Sequence, residues 1–76
     1  MALNEIIAAN RITKNDAFTI QGIMDEVESG NRNLKDIAAD CRYYIFQAAT
    51  QYAATIFERL GECKTRAQFN AVFNAI

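Results

Sequence analysis

Few side chains in this sequence could carry chemistry. There is no histidine, which removes the commonest general base near neutral pH and the commonest metal ligand. Two carboxylate pairs stand at helical spacing, Asp25 with Glu28 and Asp36 with Asp40. A pair at i, i+3 or i, i+4 shares one helix face, yet a metal or acid/base site needs further groups converging on a pocket. Each pair sits among other charges and reads as a solvated face. Cys63 stands beside Lys64 and Arg66, just ahead of a helix start. Such surroundings lower a thiol pKa, but no histidine is there to complete a nucleophile–base pair. Cys41 falls on an apolar stripe and reads as a small core residue. The two cysteines form no CxxC motif, and no glycine-rich phosphate loop occurs. No catalytic, cofactor-binding or metal-binding residue is assigned on this basis, no cofactor is implied, and an enzyme is the class least supported.

The basic residues offer a second line. Arg59, Lys64 and Arg66 cluster around Gly61 and are the candidates for nucleic-acid contact. Residues 3–28 admit a helix-turn-helix reading, but its second helix carries Asp16, Asp25, Glu26 and Glu28 against Lys14. Phosphate binding needs several bases on the docking face. The net charge of −1 gives no long-range field for nucleic acid or membrane. Residues 1–30 carry five acids and two bases, and residues 31–76 four acids and six bases, an asymmetry that scattered solvated faces explain.

The elements that position these residues are helices. The chain contains no proline and three glycines in 76 residues, where average usage gives about four and five. The sequence predicts an all-α fold in one domain, residues 1–76, with helices at about 2–11, 14–29, 34–60 and 66–76. Leu3, Ile6 and Ile7 share one side of the first. Thr13 with Asp16 marks the start of the second, whose face is Ile20, Ile23, Met24 and Val27 at i, i+3, i+4 and i+7, extended by Ala17 and Phe18. Gly30 is a left-handed stop. Asn33 caps the third helix, with Asp36 at its positive end. Thr65 and Gln68 form a capping box for the last, which repeats the spacing with Phe69, Val72, Phe73 and Ile76.

The third segment is the informative one. It reads as one long central helix of about 40 Å over residues 34–60, ended by Gly61. No charge lies between Arg42 and Glu58. One apolar stripe is Leu34, Ile37, Cys41, Ile45, Ala48, Tyr52, Ile56 and Leu60; another is Tyr43, Phe46, Ala53 and Phe57. A helix with one buried face needs one stripe. The charge-free run is fifteen residues and includes Gln47, Thr50, Gln51 and Thr55, short of the roughly 20 apolar residues that span a bilayer, so membrane insertion is not expected. The eleven-residue recurrence of Leu34, Ile45 and Ile56 argues against a left-handed coiled coil. Adjacent Tyr43 and Tyr44 point about 100° apart, so one belongs at a rim.

Hydrophobic residues make up 51% of the chain, a high share where small domains bury little surface. That surplus predicts a small helical bundle completed by oligomerisation. The resulting expectation is a small non-enzymatic module for protein–protein interaction, an adaptor, inhibitor or regulatory subunit that self-associates as a homo-oligomer. Its contacts are assigned to Tyr43, Phe46, Phe57, Phe69 and Phe73. Two alternatives stand beside it: a nucleic-acid-binding regulator using the bases near Gly61, and a small-ligand binder with a pocket between helices of an oligomer. The start Ile6-Ile7-Ala8-Ala9 is interrupted by Asn10 and Arg11 and does not read as a signal peptide, so the expected location is the cytoplasm.

Overall fold

A computed structural model describes residues 3–76; Met1 and Ala2, the latter at the predicted start of the first helix, lie outside the described residues. Five helices follow in order: α1 Leu3–Ala8, α2 Lys14–Ser29, α3 Leu34–Tyr44, α4 Gln51–Gly61 and α5 Arg66–Ala75. No strand occurs among the described residues. The all-α expectation holds.

Caps fix most boundaries where the sequence places them. The Thr13 hydroxyl accepts from the Asp16 amide at 3.2 Å, and α2 stops at Gly30 with φ 72°, whose N–H donates to the Glu26 carbonyl at 3.2 Å. Glycine meets no Cβ penalty there. At α5 the capping box is complete: the Gln68 amide donates to Thr65 Oγ1, and the Thr65 amide to Gln68 Oε1. The first helix is shorter than predicted. It ends at Ala8 and turns through Asn10, φ 59°, a left-handed position that asparagine tolerates better than most residues.

The long central helix is the principal correction. Residues 34–60 are two helices folded back on each other. α3 ends at Tyr44, and residues 45–47 close as a turn, with the Phe46 and Gln47 amides donating to Tyr43 and Tyr44 carbonyls. Thr50 is extended (φ −133°, ψ 157°) and caps α4 by accepting from the Ala53 amide at 3.1 Å. The break is held from outside. Asp16 Oδ2 accepts from the Ala49 amide at 2.8 Å, and Thr50 Oγ1 donates to the Arg11 carbonyl at 2.9 Å. Arg11 of the α1–α2 connector and Asp16 in the first turn of α2 therefore fasten the connector between α3 and α4.

Folding back covers the first apolar stripe and the Ala53 and Phe57 part of the second. α3 and α4 form the most extensive helix pair, α2 lies against α3, and α5 packs on α2 and α4. Ile37, Ala38 and Cys41 of α3 share one core with Ala53, Ile56, Phe57 and Leu60 of α4, Ile20, Ile23 and Val27 of α2, and Phe69 and Phe73 of α5. The radius of gyration is 11.3 Å, against about 11.4 Å for a folded chain of this length. A single chain thus covers most of both stripes, and leaves Tyr43 and Phe46 of the second exposed.

Gly61 does more than end a helix. It is the last residue of α4 and is buried where α3 crosses. A Cβ there would stand 2.6 Å from Arg42 Cγ and 3.4 Å from the Arg42 amide nitrogen. The missing side chain lets Arg42 lie over the helix end and donate to the Gly61 carbonyl at 2.7 Å, placing a cation at the negative pole of α4.

Candidate interaction surface

Among the described residues, three large apolar side chains are exposed: Phe46 at 87%, Phe18 at 81% and Tyr43 at 60%. Phe46 sits in the turn after α3, one helical turn beyond Tyr43. The adjacent tyrosines divide as their spacing requires. Tyr43 faces out and its hydroxyl accepts from Gln47 Nε2 at 3.1 Å. Tyr44 turns in, 5.6 Å between ring centroids from Phe57, and burial pushes its hydroxyl pKa up. Tyr52 lies under the Arg11 guanidinium, 4.6 Å from the ring centroid, a cation–π contact that stiffens the same end of the bundle.

The structure keeps two of the five proposed contact residues at the surface. Tyr43 and Phe46 are exposed; Phe57, Phe69 and Phe73 are buried in the chain's own core. Their apolarity was correctly read, but the covering surface is intramolecular. Phe18 departs the other way. Ala17 extends the buried face of α2, whereas Phe18, about 100° further round, lines an open groove of about 690 Å³ with Leu3, Ile7 and Ala17. This apolar concavity lies within one chain, between α1 and α2, with Glu5 and Lys14 at its edge.

The basic residues near Gly61 are all exposed. Arg59 lines a narrow cleft with Tyr52, Val72 and Ile76. Lys64 lines a different groove with Lys35, Arg42 and Glu62. Arg66 reaches the Glu28 carbonyl at 3.4 Å.

The remaining chemistry-bearing residues have structural partners or stand in solvent. Asp40 and Glu26 share Arg32 at 2.6 and 3.1 Å; the Asp40 hydrogen bond is the main reason the Arg32 pKa is raised. Asp25, Glu28 and Asp36 are exposed. No group of three metal-ligating side chains occurs among the described residues. Both thiols are unpaired and buried. Burial pushes Cys41 up to about 12. Cys63 also moves up, chiefly through burial, with its thiol donating to the Arg59 carbonyl at 3.3 Å. Its environment thus acts opposite to the lowering expected from Lys64 and Arg66.

Sequence reasoning missed the second role of Asp16. The Thr13–Asp16 spacing does mark a cap, but the Asp16 carboxylate is buried and turned to the Ala49 amide. Only the folded-back α3–α4 hairpin brings that amide near, so local spacing carries no sign of it. No helix among the described residues is long and apolar enough to cross a membrane. No protein-family model, characterised protein or solved structure matches the chain.

Proposed function

We propose that this chain is a non-enzymatic protein-interaction module, an adaptor, inhibitor or regulatory subunit, that docks through Tyr43 and Phe46. The observation that carries the reading is the exposure of Phe46 at 87% and Tyr43 at 60%, one helical turn apart, in a chain whose Phe57, Phe69 and Phe73 are buried. Aromatic side chains are favoured at interface centres, and tyrosine brings a polar tip that tolerates water in the free state. Phe18 lies at the same end of the bundle, two residues beyond Asp16 of α2, which accepts from Ala49 in the α3–α4 connector. The solvated or ion-paired carboxylates and the upward-shifted thiols support a role without catalysis. Two unpaired cysteines suit a reducing compartment such as the cytoplasm.

Burying one such aromatic side chain contributes roughly 1.5–3 kcal/mol, so Phe46→Glu should weaken association by about 10- to 100-fold or more. The variant should keep its far-ultraviolet circular dichroism, because Phe46 supports no core contact. Sedimentation analysis of self-association, together with quantitative binding to any copurifying protein, tests this. Unchanged binding by Phe46→Glu and by Tyr43→Ala in both measurements would refute the surface assignment.

A further inference from the structure

A groove of about 610 Å³ opens where α3 meets the end of α4 and the connector to α5. We propose that it binds a small multivalent anion, of the oligophosphate or polycarboxylate class. The site goes beyond the docking surface above and is separate from it, since neither Tyr43 nor Phe46 lines this groove.

One wall follows from the sequence of α3. Lys35, Ala38 and Arg42 stand at i, i+3 and i+7, on one face of that helix. The end of α4 and the connector supply Gly61, Glu62, Cys63 and Lys64. Ala38, Gly61 and Cys63 are small and buried, so they form a floor without bulk to fill the groove. Lys35, Arg42 and Lys64 are exposed around it. Three cations thus line the groove with one carboxylate, Glu62, an excess of two positive charges in a chain whose net charge is −1. An anion carrying two or more negative charges matches that excess.

The cations are available and one of them is already placed. Among the described residues the ion pairs belong to Arg32, and none engages Lys35, Arg42, Lys64 or Glu62. Arg42 Cγ lies over Gly61, where a Cβ would meet it at 2.6 Å, and Nη1 donates to the Gly61 carbonyl at 2.7 Å. That bond leaves most of the guanidinium's N–H donors for an acceptor in the groove. A side chain held before binding loses little freedom when a ligand arrives. The surroundings favour a small anion over a nucleic acid, whose phosphates need a basic track extending past one groove. Asp36 stands next to Lys35 and is exposed, Arg59 lines a different cleft, and Arg66 reaches the Glu28 carbonyl.

Isothermal titration calorimetry of the full chain with inorganic triphosphate and with citrate, at low ionic strength, tests the site. The expected result is saturable one-to-one binding of at least one of the two, weakening as salt is added. Whichever binds more tightly identifies the anion as phosphate or carboxylate. Lys35→Gln and Lys64→Gln, at exposed positions, should each weaken binding about threefold and together about tenfold, with far-ultraviolet circular dichroism unchanged. Glu62→Gln removes the opposing carboxylate and should strengthen binding about threefold. Arg59→Gln lies outside the groove and should change nothing. Phe46→Glu should change nothing either, so this site and the docking surface fail separately. Absence of saturable binding by both anions overturns the proposal. An equal loss in Arg59→Gln and Lys64→Gln, the mark of unspecific attraction, also overturns it. Tighter binding of a single-stranded oligonucleotide at equal phosphate concentration, weakened by Arg59→Gln, would assign the groove to a nucleic-acid surface and overturn the small-anion site.

Discussion

Gly61→Ala sets two effects of opposite sign against each other. Alanine is the better helix former by about 1 kcal/mol in a helix interior, and less at the terminal position that Gly61 holds. Against that, the new methyl would stand 2.6 Å from Arg42 Cγ and 3.4 Å from the Arg42 amide nitrogen. Cγ lies close to the backbone of α3 and cannot swing clear as a side-chain tip could. Relief requires moving α3 away or turning Arg42 off its rotamer, which breaks the 2.7 Å bond to the Gly61 carbonyl. Overpacking of this kind costs about 1–3 kcal/mol. The net expectation is destabilisation by about 1–2 kcal/mol, or roughly 4–8 °C in Tm per kcal/mol for a domain of this size. Urea denaturation in a double-mutant cycle isolates the cause. Arg42→Ala removes the clashing carbon and the hydrogen bond together, at about 1 kcal/mol. Gly61→Ala should then add little in that background, giving a coupling of about 1–2 kcal/mol between the sites. An unaltered cost of Gly61→Ala in the Arg42→Ala background, or a gain in stability from Gly61→Ala alone, would refute the close-packing role and leave only helix termination.

Other substitutions test the core and the thiols. Phe69→Ala empties a fully buried site and should cost about 3–5 kcal/mol, visible as a large fall in Tm; truncation after Thr65 removes Phe73 as well and should yield an unstable or aggregating chain. Asn70→Ala and Asn74→Ala, both exposed, should leave the melting curve unchanged. Cys41 and Cys63 should resist alkylation in the native state near neutral pH and react together on unfolding, because burial keeps both protonated; fast modification of native Cys63 would contradict this. Since the Cys41 thiol holds its proton to about 12 when folded and loses it near 9 when unfolded, the folded state binds more protons across that window. Its stability should therefore fall as pH rises through the window, and Cys41→Ala should flatten the slope.

What was legible in the sequence was whatever local chemistry alone decides. The Thr13, Gly30 and Thr65 boundaries follow from side chains bonding within three or four residues, or from a left-handed glycine. The faces of α2 and α5 follow from helical spacing, and so does the division of Tyr43 from Tyr44. Phe18 was misplaced because it stands about 100° round from Ala17, where it lines an open groove beside α1 and not the buried face of α2. Phe57, Phe69 and Phe73 were recognised as apolar side chains needing a partner. Their partner is supplied by a fold-back that spacing does not encode.

That fold-back is settled by tertiary contacts. Across residues 45–50 the intrinsic preference among non-glycine, non-proline residues spans tenths of a kcal/mol each. Burial of a single side chain such as Phe57 contributes roughly 1.5–3 kcal/mol. A few residues can therefore be held out of helix by one well-placed aromatic, provided their freed backbone groups find partners. Asp16 supplies one, to the Ala49 amide, and the Thr50 hydroxyl caps Ala53 while donating to Arg11. The exposed Tyr43–Phe46 pair stands at that break, so the element the sequence misplaced is also the one on which the functional proposal turns.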